Sequence, residues 1–497
     1  MRPGLLDQSL QGVKWSTLST IANMLLQLFF MAIMARLLAP SAFGLVAIAM
    51  VTLRFAGYFA QMGIGPALVQ KKTLEEPDIS AAFFLSVSLG ATASGVVFIL
   101  APTIGKWMGS DQLEDVIQVL AGSFILTGLS TVPIYLLRRE LRFKALAFVE
   151  STSYLLGYGT CGVVLALNGA GVWSLVGAAL CQGLITLSLS HFFARHPIIF
   201  VFERKALKHF FNFGSRYSVV GFLEFIGSNL DTIVIGKVLG GTSTGIYNRA
   251  FMLTNLPVQN IINSITKVLF PILSEVQNDR NLIGQVYLLF VFLVGSLTGS
   301  ICFGMIPASN DLVLTMLGRN WEASIPIVKV LAVSVPFVFL SHIAGIILDA
   351  LAELEIKLVI QSASLFVLMV AMYFLADFGL IGFASAVVIT EIFKSVAYFM
   401  KIRILLSPPI DILKEILFYI VTIVSVTVAA IWLTVKLSAL GDLPHWCRLI
   451  MEISVGACSL IVLFLVAWSR LDQLQICQKL NSRYPLLLRL SNSIRVF

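Results

Sequence analysis

The chain has 497 residues, of which 58% are hydrophobic before its 36 glycines are counted and 12% are charged, with a formal net charge of +8. A soluble domain runs near ~25% charged, and no water-soluble fold of this size has interior enough to hide so much apolar surface. Composition therefore excludes a soluble enzyme and leaves a chain solvated mainly by lipid.

A spanning helix needs about 20 predominantly apolar residues, and breaks fall where Pro, Gly and charge cluster. In chain order this predicts helices over 13–38, 41–61, 79–101, 113–137, 147–167 and 171–194. They continue over 211–239, 244–270, 283–306, 324–351, 356–376 and 379–404, then 412–437 and 446–468, fourteen in all. The expected fold is all-α and polytopic. The start, MRPGLLDQSLQGVKW, has an acid and no small-residue cleavage site, so no removable signal peptide is expected. The six cysteines and five histidines show no metal-ligand or disulfide spacing, so neither a metal nor a cofactor is expected.

Charge sets an orientation. With the N-terminus inside, 23 Lys and Arg fall on cytoplasmic connections and 6 on outer ones, as the positive-inside rule requires. Both termini are then cytoplasmic. The excess charge signals topology and attraction to anionic lipid, with no nucleic acid implied. The basic elbow RRELRFK at 138–144 reads as a headgroup contact, and the spaced cations of 469–497 as an interfacial amphipathic tail. Five cations stay inside helices: Arg54, Arg216, Arg249, Lys329 and Lys394. Their acidic counterparts are Glu150, Glu224, Asp231, Asp349 and Glu391.

An internal repeat underlies the pattern. At an offset of 201 residues, Arg36-Leu-Leu-Ala-Pro-Ser-Ala-Phe-Gly44 falls on Lys237-Val-Leu-Gly-Gly-Thr-Ser-Thr-Gly245, each stretch hinging two long apolar helices. Six helices separate the copies, so both enter the membrane alike. Such parallel repeats build transporters with a site between the halves. The expected organisation is two pseudo-symmetric six-helix lobes, 1–210 and 211–405, then two appended helices in 406–468 and a basic tail, 469–497.

The run NLDTIVIGKVLGGTSTGIYNRAFMLTNLPVQNIINSITKVLFPILSE at 229–275, with ARLLAPSAFGLVAIA and GIGPALVQKK earlier, resembles the polysaccharide transporter family of the multidrug/oligosaccharidyl-lipid/polysaccharide flippase superfamily. The resemblance extends over the full length. It implies a two-lobed flippase in the cytoplasmic membrane that carries lipid-linked oligosaccharide repeat units by alternating access. Its expected partners are a polyprenyl-diphosphate-linked saccharide, membrane lipids, and the polymerase and chain-length machinery. The rivals are a cation-coupled drug antiporter, a peptidoglycan-precursor flippase and a polytopic polysaccharide polymerase or ligase.

An anionic diphosphate cannot cross about 30 Å of hydrocarbon unaided, and arginine suits it through a permanently charged, bidentate fork. The candidates each have two readings. Arg54, mid-helix, is a cavity cation or a partner of Glu224. Arg249 contacts substrate, or snorkels and locks its hairpin. Arg216 captures phosphate on the cytoplasmic side or is a flanking charge. Glu224 and Asp231, seven apart on one helix face, bind a coupling cation or the glycan, or pair with Arg54 or Arg249. Lys394 is a cavity candidate whose rival is a pairing with Glu391, three positions back. Lys329 and Asp349 read as flanking charges.

Overall fold

The structure, a computed structural model, describes residues 22–61, 64–71, 74–194, 225–256, 259, 279–351, 353–406, 410–441 and 443–471. Arg216, Glu224 and residues 472–497 of the basic tail lie outside the described residues. Every described element is helical, as hydrocarbon demands, since only internally bonded backbone is tolerated there. The helices are α1 (Ala22–Leu37), α2 (Pro40–Gln61), α3 (Ile64–Gln70), α4 (Glu76–Met108), α5 (Asp111–Ala121), α6 (Ser123–Arg139) and α7 (Phe143–Tyr154). A π-helical stretch, Leu155–Gly162, leads into α8 (Val163–Leu167) and α9 (Val172–Ala194). Then come α10 (225–256), α11 (Arg280–Met316), α12 (Ile325–Ala350), α13 (Leu354–Leu375), α14 (Gly379–Leu406), α15 (Ile410–Ala439) and α16 (His445–Leu471).

Among the described residues, nine stretches are long and apolar enough to cross a membrane. One of the nine, 52 residues over Glu355–Leu406, would run about 78 Å if straight. It is broken by a 3₁₀ turn at Ala376–Phe378 and by Gly379 at φ +60°. Several boundaries differ from expectation, among them that of α4, which runs past Pro102 to Met108. Pro307 marks an end near 306, yet α11 runs on to Met316; proline removes one helical hydrogen bond, which intramembrane packing tolerates. The short α3 follows a Gly-rich stretch in which no separate helix is expected.

The chain forms two compact units. The first holds Met1–Asn260, Met316–Ile327 and Met372–Phe383. Its core forms where Leu45, Ile48 and Leu53 of α2 meet Val97, Leu113, Ile117, Phe124 and Val176. A second cluster, Ile64, Leu68, Phe83, Val132 and Leu136, seats α3 on α4 and α6. Arg139 Nη1 donates to the Leu68 and Lys71 carbonyls, both at 2.6 Å, closing the end of α3 where no helical amide reaches. Arg142 Nη1 donates to Phe193 O at 2.8 Å. These two arginines of the basic elbow thus bind backbone carbonyls, whereas headgroup contact is the expectation from sequence.

Residues 225–256 are helical throughout, but Gly240 sits at φ +79°. The Tyr247 hydroxyl donates to Asp231 Oδ2 at 2.6 Å across 16 residues, which a straight helix would hold about 24 Å apart. The chain therefore reverses at Gly240, using the left-handed conformation that glycine adopts without penalty. This hairpin packs on the one at 36–44. A Cβ on Gly44 would collide with Gly241 O and lie 2.9 Å from Gly245 N; one on Gly245 would collide with Pro40 O and lie 3.0 Å from Gly44 N. The 201-residue offset pairs 44 with 245 and 40 with 241, so these are one contact seen from either copy.

The second unit holds Ile261–Thr315, Val328–Ala371 and Ala384–Phe497. Its centre is α11, the most buried of the nine stretches. Gly295, Gly299 and Gly304 of α11 receive Ile420, Val424 and Ile431 of α15, the small-residue contact by which helices approach in lipid. Phe292 stacks on Phe464 of α16 at 5.5 Å.

Candidate functional site

A cavity of about 440 Å³ lies within the first unit, in the size range of small-molecule sites. Its lining comes from α1 (Gln27, Phe30), α2 (Phe43, Arg54), the π-helical region (Tyr154, Tyr158), α9 (Gln182) and both arms of α10 (Asn229, Asp231, Asn248, Arg249). These elements reach one place because the hairpins at 36–44 and 237–245 touch, which converges α2 and α10.

Arg249 is positioned from below. Its Cζ stands 4.3 Å over the centroid of Phe43. Phe43 is buried edge-on against Trp321 at 5.4 Å, and Trp321 Nε1 donates to Ala35 O at 2.8 Å. Ser324, one turn on, donates to Ile246 O at 3.4 Å. The guanidinium thus has an aromatic ring on one face, a stabilising cation–π geometry. Its donors remain largely uncommitted: Nη1 contacts Met252 Sδ at 3.2 Å, and the buried Nε has no hydrogen-bond partner among the described residues.

Tyr154 and Tyr158 stand within electrostatic range of Arg249 and stack on each other at 5.1 Å. They are four apart across the junction into the π-helical stretch, a spacing that sets both rings on one helix face. Arg54 lines the same cavity, exposed, with no hydrogen bond or ion pair among the described residues.

Asp231 is buried and committed within its own hairpin. It accepts from Thr232 N at 2.7 Å and from the Tyr247 hydroxyl at 2.6 Å. The alternatives of an ion pair with Arg54 or Arg249 are replaced by dipoles that hold the carboxylate in place. Asn229 Nδ2 donates back to Phe225 O at 3.0 Å. Lys394 lies in the second unit and pairs with Glu391 at 3.1 Å. In that unit Lys357 also pairs with Asp349 at 2.9 Å. Arg216 and Glu224 lie outside the described residues, so the Arg54–Glu224 pairing is not placed. No group of three or more His, Cys, Asp or Glu able to hold a metal occurs among the described residues.

The structure thus brings Arg54, Asp231 and Arg249 together and pairs Lys394 with Glu391 in the second unit. Phe43, Tyr154, Tyr158, Tyr247 and Trp321 are absent from the candidates read in the sequence. The i, i+4 tyrosine pair was readable there, whereas Trp321 reaches Ala35 across 286 residues, which no local pattern records. Chemically, two guanidiniums with free donors, beside an Asp231 carboxyl already held by Tyr247 and Thr232, make a site for a multiply charged anion. Tyrosines and amides around it suit a polar, ring-bearing group.

The chain is similar to known proteins in sequence and in fold. Residues 33–326 match the family described as polysaccharide biosynthesis protein. The lipopolysaccharide biosynthesis protein WzxC of Escherichia coli (strain K12) is 25% identical over 412 residues, 80% of this chain and 82% of that one. The teichuronic acid biosynthesis protein TuaB of Bacillus subtilis (strain 168) is 24% identical over 333 residues, 67% of this chain and 69% of that one. In fold, the lipid II flippase MurJ in its inward closed conformation superposes with a TM-score of 0.73 at 15% identity, over 92% of this chain and 99% of that chain.

Proposed function

Because the chain belongs to the polysaccharide biosynthesis protein family, we propose that its cavity holds the diphosphate of a polyprenyl-diphosphate-linked saccharide during translocation. The protein is a multi-pass membrane transporter of the flippase type serving surface polysaccharide biosynthesis; it is not an enzyme. One observation carries the headgroup reading. Arg54 and Arg249 line one cavity, and neither is paired with an acid among the described residues. A cationic group at membrane depth is costly unless a cavity or partner receives it. A diphosphate supplies the missing partner, and bidentate guanidinium contacts would hold it through the crossing.

The commitment of Asp231 to Tyr247 and Thr232 speaks against a cation-coupled drug antiporter, which needs a cavity acid free to exchange its cation. The 23-to-6 charge asymmetry supports placement in the cytoplasmic membrane with both termini inside. The reciprocal contact of Gly44 and Gly245 supports two lobes, 1–210 and 211–405, related by a two-fold axis along the membrane normal, with two appended helices in 406–468. Alternating access would then be a rocking of one lobe against the other. Polymerase and chain-length machinery are the expected partners downstream.

The test is a deletion strain. Loss of this transporter leaves lipid-linked repeat units on the cytoplasmic face, accessible only after the membrane is opened. Single repeats accumulating on the outer face would instead indicate a block in polymerisation and overturn the reading.

A further inference from the structure

The second unit carries ionisable groups that the cavity of the first does not use. Asp311 of α11 is 4% exposed, and His445, the first residue of α16, holds its Nδ1 2.5 Å from Asp311 Oδ1. Two turns further along the same face of α16, Glu452 is 1% exposed, and neither carboxyl oxygen has a hydrogen-bond partner among the described residues. The charged groups that act on Glu452 are Asp311 across the helix pair and Arg448 one turn back. On α15, which packs on α16, Lys436 stands over the Trp432 ring, 5.0 Å from its centroid.

A buried acceptor with no donor is an arrangement that proteins avoid. Here two buried carboxyls act on each other, and Arg448 contributes one positive charge, with its buried Nε also without a hydrogen-bond partner among the described residues. With both acids ionised and the imidazole neutral, the cluster carries a net single negative charge. One added proton neutralises it and supplies the O–H that one carboxyl can donate to the other, the shared-proton state of coupled acids. Side-chain exposure orders the groups, from 45% at His445 to 5% at Asp311 and then to the buried Glu452.

We propose that His445, Asp311 and Glu452 form a proton-binding site, loaded from solvent through the imidazole and ending on the Asp311–Glu452 carboxyl pair. The proton arrives on the exposed ring nitrogen, the Nδ1 proton passes to Asp311, and the carboxyl pair shares it; no other reactant is consumed. On the orientation proposed above, the mouth at His445 faces outside. A charge that changes from that face is the kind of group through which a proton gradient can act on helix packing. The geometry belongs to the second unit alone and does not depend on what the first unit carries.

The test uses the purified full-length protein in nanodiscs, without substrate, compared by infrared difference spectroscopy between acidic and alkaline buffer. The wild type should show one protonated-carboxyl band, lost in Glu452→Gln, and one titrating proton more per chain than that variant. In Asp311→Asn, which keeps Glu452 but removes its carboxyl partner, the band should shift, so a fold defect in one variant leaves the other informative. His445→Ala should keep the band and slow its exchange with deuterated buffer. Equal bands and equal proton counts in wild type, Glu452→Gln and Asp311→Asn would overturn the proposal.

Discussion

Arg249 shows what a single residue needs in order to remain charged inside a membrane. Its guanidinium has the Phe43 ring beneath it, and that ring is fixed by Trp321. A cation–π contact of this kind contributes roughly 0.5–2 kcal/mol. Phe43→Leu should therefore lower substrate affinity several-fold while leaving expression unchanged, and Phe43→Tyr should restore it; transport titrated against substrate concentration reads the difference. Asp231 presents the opposite case. Tyr247→Phe removes one donor from a buried carboxylate, which costs about 1–3 kcal/mol. The expected result is a lower melting temperature with an unchanged apparent affinity for the saccharide. A loss of affinity with no thermal shift would move Asp231 from the hairpin lock into the binding set.

At the scale of elements, the contact between the two hairpins sets where the arginines stand. Gly44 and Gly245 face backbone atoms that cannot move aside as a flexible side chain can, so a larger residue must push the hairpins apart. Overpacking costs about 1–3 kcal/mol even in deformable cores. Gly44→Val and Gly245→Val should each abolish most export, whereas Gly95→Ala, with nothing within 4 Å of its added Cβ, should be silent. Equal effects of the three substitutions in an export assay would show that the close approach has no functional weight. The repeat was readable because both hairpins preserve a cation, a leucine and a glycine at fixed spacing. The π-helical turn was not, because LLGYGTCG carries no signal separating a wide turn from an ordinary one. The length of α11 was hidden similarly: Pro307 reads as a terminus, and Asp311 beyond it meets His445, 134 residues away.

For the molecule as a whole, composition made the membrane class legible, and hydropathy with Pro, Gly and charge made most helix positions legible. The residues of the site were only partly so. Intramembrane charges flagged Arg54, Asp231 and Arg249, because any such charge is conspicuous against an apolar background. Their partners are aromatic, and 36 phenylalanines and 11 tyrosines in an apolar chain conceal the few that matter. The topology has its own check: a reporter fused after Phe497 should be active only in the form that works in the cytoplasm, and activity of an exported-only reporter would reverse the assigned orientation. The central claim, that Arg54 and Arg249 hold the diphosphate, is tested most directly in proteoliposomes loaded with a polyprenyl-diphosphate-linked saccharide. Losing a charge-assisted, bidentate contact of about 1.5–3 kcal/mol corresponds to roughly a tenfold to hundredfold slower translocation. Arg54→Ala and Arg249→Ala should each show that loss at normal insertion and thermal stability, with Arg54→Lys in between; translocation by both alanine variants at the wild-type rate would contradict the account.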